Sequence, residues 1–287
     1  MLAIAESATL KVDSKAKALK AQGRPVISYA AGEPDFETPE NIVEAALKAV
    51  KDAKNHRYTP AVGLPEMREA IAEKTLRDSG TKVDSSQVIV TNGGKQAVYT
   101  AFQVALNDGD EVLVPTPYWT TYPEAIKLAG GTQIDVFAGS DQDYKVTPEQ
   151  LEAHYTAKTK ALLMCSPNNP TGAVYSRSEL EAIGKWALSK ESLWVITDEI
   201  YQNLIYEGLK AFSITELVPE LAERTMMVNG VAKSYAMTGF RVGFTRARPD
   251  YVELASKLQE PLVSCGVGFA QLAAVAVVDA QVRQSAG

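Results

Sequence analysis

Lys233 and Arg241 are the residues whose types and spacing first suggest chemistry in this 287-residue sequence. Lys233 comes shortly after the apolar run TMMVNG, which is typical of a buried strand. Burial disfavours the charged form of a lysine, so a lysine at such a position is costly unless its amine has a task. The stretch therefore raises the question of which ligand needs an amine and, eight residues later, a fixed cation.

Polar or glycine-rich segments follow several short apolar runs in the middle of the chain. The runs are continuous rather than alternating, which is typical of strands covered on both faces in a parallel sheet. In such sheets, ligands bind beyond the carboxyl ends of the strands. The segments expected at that edge are NGGK (92–95), PTPYW (115–119), SPNNPTG (166–172), DEIY (198–201) and GVAK (230–233).

Gly93 and Gly94 lie between a predicted strand and a predicted helix. Free amides at a helix N-terminus, supported by the helix dipole, bind phosphate groups. Arg241 would supply a bidentate cation to the same phosphate. Taken alone, the glycines would be a tight turn and Arg241 a surface ion-pair partner. The stretch matches neither a Walker motif nor a dinucleotide fingerprint.

Asp198 ends the apolar run LWVIT, and a carboxylate at that depth needs a cationic or protonated partner. Alone it is equally well explained as a helix N-cap, and Asn169 and Tyr201 as turn and packing residues. Combined with the amine of Lys233 and the flat ring of Trp119, they meet the requirements of pyridoxal phosphate. That cofactor reacts with an amine, needs a carboxylate at its pyridine nitrogen and stacks on an aromatic ring.

The elements that must position these residues follow from hydrophobic periodicity. The sequence predicts an α/β fold in which helices on both sides sandwich a mostly parallel sheet. One helix is predicted to begin at Pro65 and end at Gly80. An earlier helix places its apolar residues on one face: Ile42, Val43, Ala46, Leu47 and Val50. We expect one large domain over residues 41–287, preceded by an arm and small-domain segment at residues 1–40.

Two later helices carry the sequence pattern of a capping box. The predicted pairs are Thr147 with Gln150 and Ser178 with Glu181.

Composition excludes several classes of function. The net charge of −6 and the pI near 5.2 argue against nucleic acid as a partner. The N-terminal stretch lacks a signal-peptide pattern, and the most apolar segment is too short to span a bilayer, so we expect a cytoplasmic protein without membrane contact. Cys165 and Cys265 are predicted to be buried free thiols. His56 and His154 have no partners at metal-ligand spacing, so no metal is expected.

Seven motifs, in order over nearly the whole chain, resemble those of the class I aminotransferases of fold type I. The gamma-type bacterial aspartate aminotransferases are the most similar group. The motifs are AGEPDF, HRYTPAVGLPEMREA, TNGGKQA, PTPYWTTYPE, SPNNPTGAVY, TDEIYQNLIYEG and NGVAKSYAMTGFRVG. The resemblance implies pyridoxal 5′-phosphate as cofactor, an amino acid and a 2-oxo acid as substrates, and a homodimer with shared active sites.

The resemblance also implies roles for individual residues. Lys233 corresponds to the lysine that forms the Schiff base and moves a proton between the substrate Cα and the cofactor C4′. Asp198 corresponds to the partner of the pyridine nitrogen. Asn169 and Tyr201 correspond to the donors to the phenolic oxygen, and Trp119 to the stacking ring.

The implied phosphate site combines Gly93, Gly94, the backbone amide of Lys95 and Arg241. Tyr58 corresponds to a tyrosine that reaches the phosphate of the neighbouring subunit.

The resemblance implies an acidic substrate, aspartate or glutamate. In gamma-type enzymes a lysine in the GGK motif binds the acidic side chain, helped by hydroxyl groups near the N-terminus, and a glycine lies near the substrate carboxylate. The corresponding substrate contacts are Ser7, Thr9, Gly32, Lys95, Trp119 and Asn169.

Two features depart from the family pattern. No residue matches the arginine that binds the substrate α-carboxylate in the family's C-terminal small domain, which is absent from the chain, so we predict slow transamination by these 287 residues. The stretch LQEPLVSCG, with Glu260 and Pro261, is less polar than expected and weakens the aspartate assignment. A broad-specificity aminotransferase, a pyridoxal-phosphate-dependent β-lyase and a non-enzymatic or incomplete cofactor-binding protein stay open as alternatives.

Overall fold

The computed structural model describes residues 8–29 and 32–278. Seven strands within these residues form a single sheet. They are β1 (Val88–Thr91), β2 (Glu111–Thr116), β3 (Thr132–Phe137), β4 (Thr159–Cys165), β5 (Trp194–Asp198), β6 (Thr225–Gly230) and β7 (Gly243–Arg246). Their order across the sheet is β1-β7-β6-β5-β4-β2-β3.

The sheet is mostly parallel. Only β7 runs antiparallel to its neighbours β1 and β6, and the other pairs are parallel. The register pairs Cys165 with Asp198 and Asp198 with Val228, so β4, β5 and β6 end at one edge. The segments predicted to carry chemistry therefore begin at neighbouring points of that edge.

Ten α-helices accompany the sheet in the described part of the chain. They are α1 (Ala8–Ala21), α2 (Glu40–Lys51), α3 (Pro65–Ser79), α4 (Gly94–Ala105), α5 (Tyr122–Leu128), α6 (Pro148–His154), α7 (Arg177–Leu188), α8 (Ile214–Leu217), α9 (Pro249–Val263) and α10 (Gly268–Val278).

Helices cover both faces of the sheet and form three hydrophobic clusters with it. Helices α4, α5 and α9 pack on one face. On the other face, α2, α3 and α10 cover the part near β1, β6 and β7, whereas α6, α7 and α8 cover the part near β2, β4 and β5. The predicted α/β sandwich with a mostly parallel sheet is confirmed. Within residues 8–29 and 32–278, no helix combines the length and apolarity required to cross a membrane.

The predicted start of α7 was wrong by two residues. Its capping box uses Ser176 and Glu179, not Ser178 and Glu181. Ser176 has the extended backbone of an N-cap, and its hydroxyl accepts a hydrogen bond from the Glu179 amide at 3.3 Å. Ser178 already lies inside the helix. The box at Thr147 and Gln150 is confirmed, as are the limits of α3, which begins at Pro65 and is capped by Gly80.

The apolar face predicted for α2 is only partly buried. Ile42 and Ala49 face the core, whereas Leu47 is 56% and Val50 is 45% exposed. The stripe that packs against α10 is thus narrower than the sequence pattern, and it includes a small alanine. The prediction for Cys265 was also wrong, because this free thiol is only partly buried, whereas the free Cys165 is buried.

Candidate active site

Lys233 lies just beyond the end of β6 and is half-buried. Its Nζ donates a hydrogen bond to the backbone carbonyl of Gly32. Burial lowers the pKa of this ammonium, as does the charge of Arg241, while Glu33 and Asp198 act in the opposite direction. A lowered pKa increases the share of neutral amine, which is the nucleophilic form.

Asp198 is the last residue of β5 and is 4% exposed. Its Oδ2 accepts a hydrogen bond from the Tyr122 hydroxyl at 2.8 Å, and its Oδ1 accepts one from the Ile200 amide at 3.2 Å. Burial raises the pKa of this carboxyl, and the two donors and the Lys233 charge counteract the rise. The carboxylate is therefore held in a dry position where a cationic partner stabilises it.

Glu199 is also buried, but on the opposite face of the sheet from Asp198. Side chains alternate along a strand, and the Glu199 carboxylate accepts from the hydroxyls of Thr197 at 3.1 Å and Ser213 at 2.8 Å. The buried guanidinium of Arg246 acts on it electrostatically. The two adjacent acids thus lie in separate surroundings, and of the two only Asp198 belongs to the site.

Asn169 and Tyr201 meet beside Lys233. The Asn169 amide donates to the Tyr201 hydroxyl at 3.3 Å, and the Nζ of Lys233 lies 6.0 Å from the centre of the Tyr201 ring. Burial raises the pKa of Tyr201 to about 12, with a further contribution from the Asp198 charge. The phenol therefore stays protonated at neutral pH and can donate to an anionic oxygen.

The predicted anion cradle lies between β1 and α4. Gly93 has φ 87° and a Cβ on it would overlap the Arg241 guanidinium, whose Nη2 donates to the Asn92 carbonyl at 3.2 Å. A Cβ on Gly243 would overlap the Gly93–Gly94 peptide. These contacts place a guanidinium beside the amides of the α4 N-terminus, an arrangement that favours an anion.

Lys95 and Trp119 lie together next to this cradle. The Nζ of Lys95 is 5.2 Å from the centre of the Trp119 ring. Burial lowers the pKa of Lys95, and Arg241 adds to this effect. The ring of Trp119 also packs edge-on against Tyr122, at 5.4 Å between centroids, which connects it to the partner of Asp198.

The remaining predicted residues lie further out or outside the described chain. Tyr58 is 89% exposed and Thr9 lies on the exposed surface of α1. Ser7 lies outside the described residues. The Gly32 carbonyl accepts a hydrogen bond from Lys233, and its predicted contact with the substrate stays a prediction.

Tyr122 is the site residue that the sequence analysis missed. It starts α5 and is buried, and its position three residues after Trp119 is typical of core packing as well as of a site residue. Only the hydrogen bond to Asp198 distinguishes the two, and no sequence signal reports that contact.

The donors at this edge fit a flat, phosphorylated pyridine. The site combines an amine with a lowered pKa, a buried carboxylate, a phenol–amide pair and an anion cradle, on the segments that follow β1, β4, β5 and β6. Across the described ranges, no three histidine, cysteine or acidic side chains are grouped to hold a metal ion.

Comparison with known proteins gives a consistent result. The profile of the family described as aminotransferase class I and II matches residues 24–286. The chain is 60% identical to the aspartate aminotransferase of Streptomyces avermitilis over 262 residues, covering 91% of this chain and 64% of that protein. It is 63% identical over 198 residues to a probable aspartate aminotransferase of Streptomyces griseus, 92% of which it covers.

Solved structures share the fold over almost the whole chain. The Thermus thermophilus aspartate aminotransferase with maleate superimposes with a TM-score of 0.94 at 39% identity, over 99% of this chain and 73% of that one. The aspartate aminotransferase of Thermotoga maritima gives a TM-score of 0.89 at 40% identity. The chain therefore spans about two thirds to three quarters of most of these relatives, and slightly less than two thirds of the S. avermitilis protein.

Proposed function

The chain belongs to the class I and II aminotransferases, and we propose that it catalyses pyridoxal-phosphate-dependent transamination between a dicarboxylic amino acid and a 2-oxo acid. The observation that carries this proposal is the placement of the Lys233 amine and the Asp198 carboxylate at one edge of the sheet, within electrostatic reach of each other. The family resemblance predicted from the seven motifs is confirmed.

Each residue at this edge has a task in such a reaction. The cofactor, when bound, supplies the electron sink that makes the substrate Cα proton acidic. Lys233 would remove and return that proton, Asp198 would keep the pyridine nitrogen protonated, and Asn169 and Tyr201 would donate to the phenolic oxygen. These tasks match the lowered pKa of the amine and the protonated state of the phenol.

The phosphate end is the second point of attachment. The free amides after Gly93 would bind phosphate oxygens, with Arg241 as the charged partner. Contacts at both ends would limit the orientations of the cofactor, with Asp198 available to its pyridine nitrogen and Trp119 to its ring face.

The proposed amino donor is aspartate or glutamate. Lys95 offers a cation at the rim, next to Trp119, where an acidic side chain would be bound. The Thermus thermophilus relative was solved with maleate, a small dicarboxylate, and several relatives are named aspartate aminotransferases. Gly32 and Thr9 are the further proposed substrate contacts in the described residues.

We propose a homodimer in the cytoplasm as the working form. Tyr58 lies next to Thr59, which touches Gly266 and Gly268, and the apolar Val267 and Phe269 there are also exposed. An exposed tyrosine near exposed apolar residues of a neighbouring segment is suited to reach a second subunit. The two free thiols agree with a reducing compartment. The division at residue 40 into an arm and a large domain stays a prediction.

The first test is cofactor capture by Lys233. Addition of pyridoxal phosphate to the 287-residue chain should produce the visible absorption band of the lysine-bound cofactor. Lys233→Ala should abolish it, because Lys233 is the amine that lies beside Tyr201 and within the electrostatic influence of Asp198. Lys185→Ala, which removes an exposed lysine on α7, is the matched control and should keep the band.

The second step separates the functional alternatives. L-aspartate with 2-oxoglutarate should convert the band to that of the amine form and yield oxaloacetate, and the rate also tests the predicted slow turnover. Release of pyruvate and ammonia from L-cysteine-type substrates without a 2-oxo acid would instead identify a β-lyase. Binding without any conversion would contradict the enzymatic proposal.

A further inference from the structure

A buried glutamine in α9 makes an unusual set of contacts near the anion cradle. Gln259 is fully buried. Its Nε2 donates to the carbonyls of Ala61 and Val90, the latter at 2.9 Å, and its Oε1 accepts from the Nε2 of Gln96 at 3.1 Å. Both donors and an acceptor of one amide are thus used inside a hydrophobic cluster.

Gln96 extends this contact to the cradle. It lies in the first turn of α4, and its Oε1 accepts a hydrogen bond from the backbone amide of Asn92 at 2.8 Å. Asn92 directly precedes Gly93, and its carbonyl accepts from Arg241. A continuous chain of hydrogen bonds therefore runs from α9 through α4 to the peptide that opens the cradle.

The same chain reaches the segment that follows Tyr58. The Ala61 carbonyl is bound by Gln259, and the carbonyl of the next residue, Val62, accepts from the Val90 amide at 2.9 Å. The end of β1 is therefore held from two sides, by this segment and by Gln96. The position of the Asn92–Gly94 backbone is determined by these contacts as well as by its own turn.

Packing alone does not account for two connected amides at these positions. A buried amide is destabilising unless its hydrogen bonds are made, and a methionine of similar length would fill the same space without that requirement. A fully bonded polar network instead fixes the relative position of the backbone groups it joins. What it joins here is the Asn92 backbone, which leads through Gly93 to the amides at the start of α4.

We propose that Gln96 and Gln259 are positioning residues that hold the Asn92–Gly94 backbone in its phosphate-binding geometry. This inference rests on the proposed function. Neither residue touches the ligand in this assignment; both act through the peptide between them and the phosphate. The consequence is specific, because the network should affect ligands that carry a phosphate and leave unphosphorylated analogues unaffected.

The test compares pyridoxal phosphate with pyridoxal on the 287-residue chain. Each is titrated by the absorption band of its lysine adduct, in the wild type, Gln96→Met, Gln259→Met and the double variant. We expect each single variant to weaken pyridoxal phosphate binding by about three- to tenfold, the range of one or two lost hydrogen bonds. Pyridoxal affinity should change less than about twofold. The double variant should be little worse than either single one, because the two residues act as one chain.

The matched control is Gln103→Met, which removes another α4 glutamine amide, bonded to the Leu128 carbonyl on the far side of the helix. It should bind both ligands as the wild type does. Circular dichroism establishes that each variant is folded, and Gln96→Met alone is sufficient if Gln259→Met does not fold. An equal loss for the two ligands, or no loss, would overturn the inference. A wild type that binds neither ligand would instead overturn the proposed function.

Discussion

Burial acts in opposite directions on the two charged groups of the site. It lowers the pKa of Lys233 and raises the pKa of Asp198, so in both cases it disfavours the charge. Neutral Lys233 is useful because the amine must react. Charged Asp198 is useful only if hydrogen bonds and a cation keep it ionised, which makes its donors important for function.

Tyr122→Phe tests the strongest of those donors. Without the hydroxyl, Asp198 keeps only the Ile200 amide, and its pKa should rise further. We expect weaker pyridoxal phosphate binding, by about ten- to a hundredfold for one hydrogen bond to a charged group. The acid limb of the pH profile of transamination should lie at higher pH than in the wild type. Tyr175→Phe is the control, since its buried hydroxyl accepts a hydrogen bond from the Val146 amide rather than donating to Asp198. Equal behaviour of the two variants would contradict this role.

Asp198→Asn should stabilise the cofactor-free protein while preventing function. The folded-state pKa of Asp198 is raised above the ordinary value of 3.8, so the folded state binds the proton more tightly than the unfolded state does. Stability linked to this group is present below pH 3.8 and is lost as pH rises through the folded-state pKa. The asparagine variant lacks that loss, so it should be the more stable protein above this pH range.

Urea unfolding of the cofactor-free wild type and Asp198→Asn, measured between pH 4 and 8, checks this prediction. The difference in the free energy of unfolding between the two proteins should grow as pH rises towards the folded-state pKa of Asp198. Above that pH it should stay constant. A difference that is independent of pH would show that the effect has another origin.

Most residues of the site could be predicted because each one ends a recognisable element. Lys233, Asp198 and Gly93 follow apolar runs, and their position at one edge follows from parallel strands. Tyr122, Gln96 and Gln259 could not be predicted in this way. Their roles depend on contacts between residues far apart in the chain, and their types are equally typical of packing.

At the scale of elements, the approach of β7 to the start of α4 shapes the cradle. Gly243 begins β7 against the Gly93–Gly94 peptide, and Arg241 reaches the same peptide from the preceding turn, where its backbone has φ 56°. The strand that runs antiparallel to the others is therefore the one that delivers the cation.

The corrected start of α7 gives a prediction about stability. Ser176→Ala should lower the free energy of unfolding by about 1 kcal/mol, the usual contribution of an N-cap hydroxyl. Ser178→Ala, two residues into the helix, should change it by less than about 0.5 kcal/mol. Thermal and urea unfolding of the two variants distinguish the observed cap from the one predicted by sequence. A larger effect at Ser178 would reverse the assignment.

The limits of helices were predicted well where residues typical of helix starts and ends mark them, as Pro65 and Gly80 do for α3. They were predicted poorly where two candidate caps are close in sequence, as Ser176 and Ser178 are, because the backbone angle decides between them. The exposed Leu47 and Val50 show a similar limit of prediction from sequence. The apolar pattern of α2 does not show how much of that helix face the neighbouring helices cover.

At the scale of the whole molecule, the surface that carries the exposed Tyr58, Val267 and Phe269 is the proposed interface of the dimer. Sedimentation equilibrium of the wild type should give twice the chain mass of 31.0 kDa. Val267→Glu places a charge in that surface and should shift the mass towards a single chain. Leu128→Glu, at an exposed apolar position on α5, is the control and should leave the mass unchanged. A monomeric wild type would rule out shared active sites.

The paired acids at the end of β5 have a consequence for how the chain reaches its native state. Val195 and Ile196 make this strand apolar on both sides, so hydrophobicity does not oppose slippage by one residue. Such a slip would turn Asp198 and Glu199 each to the opposite face of the sheet, and one acid would still be buried on each face. In the native register the Tyr122 hydroxyl donates to Asp198, the shorter side chain. The Ser213 hydroxyl donates to Glu199, the longer one. The correct register of β5 therefore depends on side-chain length, and a molecule that reaches this register already has Asp198 in position at the candidate active site.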